Sequence, residues 1–256
     1  SPPSADAHYM LAAIALSNNS VQDAIFECES ALKVHPAFEA AVLMLVDLLG
    51  RTGEFDKAKL CLSEFCENET ASPHAHFLLA QLLIRLDQKS AALISLQTVQ
   101  NLEPEFPKLR LALAQVYELV GQTDSAMALY QEMQTSNDPD RAFALDKLAQ
   151  FHLNTRNFNT AKPLFEEILR NNPRALEALN NLGTIEKNLG AKEKALRYFE
   201  SALQIEPNNA NVLCNLSLCL HELGRHDEAI KELKRAIELA PEHSVLHFNL
   251  ANIYSD

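Results

Sequence analysis

The side chains best suited to chemistry are the histidines and cysteines, and their spacing decides what they can do. His221-Glu222-Leu223-Gly224-Arg225-His226 has the look of a zinc-hydrolase helix, in which two imidazoles on one face hold the metal and the glutamate acts as base. Here the second imidazole comes at i+5, and Gly224 interrupts the helix between them, so the spacing argues against a metal. His243 and His247 are i,i+4, but no third ligand accompanies them and His243 is expected to precede its helix. His74 and His76 stand two apart and would point to different sides of a helix. The five cysteines, Cys28, Cys61, Cys66, Cys214 and Cys219, are odd in number and contain no CxxC. They read as reduced packing residues, because a five-residue separation on a helix is poor disulfide geometry. No nucleophile–base pair or glycine-rich phosphate loop can be assembled. The residues therefore predict no catalytic group, no metal, no cofactor and no enzyme. What remains is amide chemistry: Asn181, Asn215 and Asn249 recur at 34-residue intervals, with Asn180 and Asn252 beside them. An amide offers both donor and acceptor. A regular row of them can hold the backbone of an extended peptide without reading its sequence.

Such regularity demands a repeating scaffold. The chain has 256 residues, 47% of them hydrophobic, which is enough to fill a core and excludes wholesale disorder. The balance of 22 Lys+Arg against 34 Asp+Glu gives a net charge of -12 and argues against a nucleic-acid partner, which needs a basic face. The richest apolar run, Ala40 to Val46, is cut by Asp47, far short of the ~18–20 residues of a membrane span, so no membrane insertion by this segment is expected. The first residues, Ser-Pro-Pro-Ser-Ala-Asp, lack the basic and apolar regions of a signal peptide, and with reduced thiols this points to a cytoplasmic location.

Self-similarity runs through the chain. Units cover 5–38, 39–72, 73–106, 107–141, 142–175, 176–209 and 210–243, with a half unit at 244–256, and only 107–141 has 35 residues. Position 20 is Ala24, Ala58, Ala92, Ala126, Ala161, Ala195 and Ala229. Position 8 is mostly small as well, and the two columns are expected to form a close helix–helix contact. Apolar residues at Leu179, Leu182, Ile185 and Leu189 keep helical spacing, and Gly190, like Gly53, Gly121 and Gly224, ends the first helix of its unit. Position 18 (Asp56, Ser90, Asp124, Asn159, Asp227) suits a cap on a second helix, which Pro36, Pro104, Pro173, Pro207 and Pro241 stop at position 32. Pro163 falls inside a second helix and should remove one hydrogen bond.

The 34-residue helix-turn-helix unit, small residues at positions 8 and 20, Gly at 15 and Pro at 32 together resemble the tetratricopeptide repeat from Ala5 to Asp256. The family's frequent Trp at position 4 is absent; that column is His8, Val42, His76, Arg110, Leu145, Leu179, Leu213 and His247. The resemblance implies an all-α fold: one right-handed α-α superhelical solenoid over 5–256, with first helices lining a concave groove. It also implies that positions 2, 5, 6, 9, 12 and 13 face that groove. Asn181, Asn215 and Asn249 then form a ladder at position 6, with Lys147 earlier in the same column and Asn180 and Asn252 at positions 5 and 9. The ladder and the stretches LNNLGTIEKNLG and LHFNLANIY are similar to the repeat arm of O-linked N-acetylglucosamine transferases. In the N-terminal half, Tyr9, Leu43, Phe77 and Leu111 at position 5 lie beside Met10, Met44 and Leu78. They either form an apolar wall for a partner helix or pack against the next unit. The family's two-lysine carboxylate clamp has no matching triplet here.

The functional expectation is a protein-interaction scaffold or adaptor within a larger protein or complex, binding an extended peptide or a partner helix. The alternative is the substrate-recognition arm of a larger enzyme such as a glycosyltransferase. Because the last unit stops within its first helix, a fragment, or self-association through that half repeat, is also expected.

Overall fold

The computed structural model describes residues 3–68, 70–135 and 138–255, and their regular structure is entirely helical. The first helices of the repeats are α1 (Ala5–Ser17), α3 (Glu39–Thr52), α5 (Pro73–Arg85), α7 (Leu109–Leu119), α9 (Arg141–Asn154), α11 (Leu176–Asn188), α13 (Ala210–Glu222) and α15 (Ser244–Ser255). The second helices are α2 (Val21–Val34), α4 (Phe55–Cys66), α6 (Lys89–Leu102), α8 (Thr123–Thr135), α10 (Phe158–Asn171), α12 (Lys192–Ile205) and α14 (His226–Leu239). Helices pack on their neighbours in the chain, α1 on α2 through to α6 on α7, and α9 on α10 through to α14 on α15. The chain divides into two compact units, Ser1–Leu129 and Tyr130–Asp256. Each is an array of antiparallel helix pairs, the arrangement of a helical repeat solenoid.

The turn inside each repeat is set by one residue. Position 15 takes a left-handed backbone in every full repeat: Gly53, Gly121, Gly190 and Gly224 have φ of 76–84°, and Asn19, Asp87 and Arg156 have φ of 57–58°. The position-16 N–H then donates back to the position-11 carbonyl, as in Glu54 to Leu49 (2.8 Å), Asn157 to His152 (2.8 Å) and Arg225 to Leu220 (2.9 Å). This closes the helix end as a Schellman-type motif and satisfies a carbonyl that the helix itself cannot. Glycine adopts this conformation freely, whereas a β-carbon crowds the following carbonyl. Arg156→Gly is therefore expected to raise stability by about 0.5–1 kcal/mol. The check is a shift of the urea midpoint to higher concentration at unchanged slope; no shift would mean that Arg156 carries no strain.

The second helices begin at position 17, two residues earlier than a cap at position 18 implies. Asp56, Ser90, Asp124, Asn159 and Asp227 accordingly sit inside the first turn. The capping residues Glu54, Gln88, Asn157 and Arg225 make no side-chain cap bond. The carboxylates at position 18 still complement the positive end of the helix. Side-chain caps occur instead on first helices: Ser4, Ser72 and Asn209 accept from the N–H groups of Ala7, Ala75 and Val212, each at 3.2 Å. Helices α2, α6, α10, α12 and α14 stop two residues before their prolines. Helix α10 continues through Pro163. Lys108 has φ of 63°, which delays α7 to Leu109, two residues after its repeat begins.

The alanine column is buried throughout. At position 8 of the sixth repeat, a methyl group on Gly183 would lie 2.5 Å from Cε1 of Phe199, a position-24 ring that is itself fully buried. At this repeat the glycine makes room for an aromatic ring.

Candidate functional site

In the C-terminal unit α11 contacts α13 directly and α13 contacts α15, so first helices form a continuous wall there. Two asparagines on that wall bond back to the preceding repeat. Nδ2 of Asn215 donates to Oδ1 of Asn180 at 2.9 Å, and Nδ2 of Asn249 donates to Sγ of Cys214 at 3.3 Å. Both links join position 6 to position 5 of the preceding repeat. The sequence separation is therefore 35 rather than 34, and that offset is the signal that would have revealed them. Asn180, Asn181, Asn215 and Asn249 are half-buried and Asn252 is exposed. Each linked amide donor spends one N–H and retains a second N–H and a carbonyl oxygen.

Lys147 on α9 is half-buried, with its ammonium 5.5 Å from the centre of the Phe143 ring, within cation–π range. Burial, then the charge of Glu177, pushes the neighbouring Asp146 carboxyl above its ordinary value. A charged cluster is not visible in the sequence: Nζ of Lys192 lies 3.3 Å and Nζ of Lys187 3.6 Å from the Glu222 carboxylate. Lys192 also donates to the Glu222 carbonyl at 3.0 Å, tying α12 to the end of α13. Lys162 and Glu186 form a second such pair at 2.8 Å, linking α10 to α11.

The apolar residues of the N-terminal unit divide. Tyr9, half-buried, packs its ring 5.3 Å from that of Phe38. Leu43 and Leu111 are half-buried, and Leu43 packs on the core around Val42, Leu62 and Phe65. Phe77 is only 8% exposed, with its ring 5.0 Å from Phe106. It belongs to the core around Leu96 and Leu113, which removes it from any groove surface. Met10 is 65% exposed.

The histidines that the spacing sets apart do meet: Nδ1 of His221 lies 3.0 Å from Nδ1 of His226, because the Gly224 turn folds α14 back on α13. Among the described residues no three His, Cys, Asp or Glu side chains are grouped to hold a metal ion. His243 precedes α15, and Nε2 of His247 lies 2.8 Å from the Pro241 carbonyl. All five cysteines are free. Burial pushes the Cys28, Cys61 and Cys66 thiols up to about 11 and raises those of Cys214 and Cys219, so all five are neutral thiols at neutral pH. No helix among the described residues is long and apolar enough to cross a membrane.

Known proteins place this geometry in a family. Models of the tetratricopeptide repeat match residues 147–210 and 190–247, and a model of anaphase-promoting complex (cyclosome) subunit 3 matches residues 17–99. No curated protein matches. Among solved structures, MamA of AMB-1 superposes with a TM-score of 0.56 at 24% identity, over 68% of this chain and 94% of its own. YrrB, described as a tetratricopeptide-repeat protein with an unusual peptide-binding site, gives 0.59 at 18%, over 76% and 96%. A tetratricopeptide-repeat protein from Parabacteroides merdae gives 0.58 at 13%, over 98% of both chains. At these identities the likeness is one of fold. Taken with the 34-residue units and their left-handed turns, it means that the chain is a tetratricopeptide-repeat protein.

Proposed function

We propose that this protein is a non-catalytic interaction scaffold and that the wall of α11, α13 and α15 holds an extended peptide through its amides. The observation that carries the reading is the pair of cross-repeat links, Asn215 to Asn180 and Asn249 to Cys214. They fix Asn215 and Asn249 at repeat spacing, so that a ligand meets polar groups already oriented and loses less entropy on binding. The peptide-binding site named for YrrB, a protein of the same fold, agrees with this reading.

Amides that grip a backbone read little sequence. A phage library of random 12-residue peptides (a length of about 40 Å when extended) is the direct probe. Selection on the wild-type chain is expected to enrich binders with a weak consensus. The Asn181→Ala/Asn215→Ala/Asn249→Ala variant should bind them about 10- to 100-fold more weakly, at roughly 1 kcal/mol for each lost hydrogen bond. Undiminished binding by a variant that still melts cooperatively would remove the amides from the site.

A further inference from the structure

The second helices of the N-terminal unit carry a feature that the amide wall does not use. Repeat position 22 is Phe26 on α2, Leu60 on α4 and Ile94 on α6. These three side chains are 60%, 58% and 65% exposed. Isolated exposed apolar residues need no explanation, whereas the same column in three consecutive repeats makes an apolar line. The fold does not require it. In the later repeats the same column is Ala128, Pro163, Arg197 and Lys231, also exposed. A small or charged residue serves the repeat as well at this position, so a large apolar one costs solubility without adding to the core. Between α2 and α4 opens a cavity of about 350 Å³ whose lining includes Leu32, Val42, Phe65, Glu29, Glu64 and Lys33.

The surroundings narrow the occupant. Asp23 and Asp56 stand one turn before Phe26 and Leu60, and Glu29 and Glu64 stand one turn after them, all exposed. No charged residue stands one turn from Ile94. Lys57, the cation one turn before Leu60, is occupied by Glu54. The unit as a whole carries 8 Lys+Arg against 16 Asp+Glu, a balance of -8. That charge repels anionic lipid and a second copy of the same surface, and it attracts cations.

We propose that position 22 of the first three repeats is a docking line for a basic amphipathic helix of a partner protein. The helix lays its apolar face over Phe26, Leu60 and Ile94 and sets lysine or arginine against the carboxylates that flank the first two. This surface is separate from the amide wall, and either can exist without the other.

The probe is a synthetic 18-residue helical peptide with leucine on one face and lysine on the rest, together with a copy in which every lysine is glutamate. The wild-type chain is expected to bind the lysine peptide. The Phe26→Ser/Leu60→Ser/Ile94→Ser variant keeps all its carboxylates and should bind on the order of 10- to 100-fold more weakly. The glutamate peptide should bind at least about tenfold more weakly than the lysine peptide. The Asn181→Ala/Asn215→Ala/Asn249→Ala variant should bind the lysine peptide like the wild type. The three serines lie at exposed sites, so an unchanged melting curve is expected and excludes misfolding as the cause. Equal binding by the serine variant, equal binding of the glutamate peptide, or loss in the asparagine variant would each overturn the proposal. So would sedimentation in which the wild type self-associates and the serine variant does not, since the occupant would then be a second copy.

Discussion

Lys162→Ala is expected to cost the C-terminal unit about 3–5 kcal/mol, more than most single substitutions of a lysine. Its ammonium is 2.8 Å from Oε1 of Glu186, and Glu186 is 3% exposed. Removing the lysine leaves a buried carboxylate without its counter-charge. The reverse change is milder. Glu186→Gln leaves an uncharged, isosteric group in the buried place, and Lys162, whose side chain is 30% exposed, can turn to solvent; a loss of about 1–2 kcal/mol follows. The asymmetry is the diagnostic, and urea unfolding of the two variants measures it. Equal losses would mean that the burial of Glu186 is not what makes the pair matter. The pH dependence has a definite sign. The hydrogen bond to Glu186 raises Lys162 above its ordinary value of 10.5, so the ammonium side of the pair is intact at neutral pH and is lost as pH climbs through the folded value. The gap between wild type and Lys162→Ala should therefore stay level through neutral pH and narrow in strong alkali.

The second large effect comes from a single methyl group. Gly183→Ala is expected to destabilise the same unit by about 1–3 kcal/mol, the range for overpacking a filled core. The new carbon would lie 2.5 Å from Cε1 of Phe199 and 2.8 Å from two further ring atoms. Phe199 is fully buried and cannot swing aside cheaply. Adding Phe199→Leu should return part of the loss, giving a double-mutant coupling of at least about 0.5 kcal/mol in favour of the pair. Strictly additive losses, read from the same urea transitions, would place the strain somewhere other than the ring.

These residues also show how far the sequence reaches. The helix starts at Ala5, Glu39, Pro73, Leu176, Ala210 and Ser244 coincide with the openings of their repeats, because periodic apolar residues and prolines at fixed spacing report local structure directly. Where the backbone departs from the pattern, so does the structure: Lys108, with its positive φ, displaces the start of α7, and no property of a lysine announces that. Three of the seven left-handed turns are hidden in the same way. Glycine marks four of them, and Asn19, Asp87 and Arg156 occupy the others at the expense of some strain.

The site is legible in outline only. Asparagines at equal intervals are plain in the sequence, but their partners are not, since Asn180 and Cys214 sit in a different column of the preceding repeat. Phe77 reads as a groove residue by register and is core by packing, because Phe106 closes over it. Glu186 reads as one acidic residue on a helix. Its importance comes from the burial that neighbouring helices impose on it, and burial of that kind is a property of several elements at once.

The turn residues have a stereochemical consequence. At position 15 the chain adopts, for one residue, the mirror image of the helix that precedes it. In each of the seven full repeats, local handedness is reversed there and then restored; Lys108, at the start of α7, adds one reversal outside this column. At these positions a residue of opposite chirality at its α-carbon would sit without strain, whatever its side chain. The period of this protein is therefore written in backbone handedness as well as in side chains, and handedness keeps the count even at Asn19, Asp87 and Arg156, where glycine is missing.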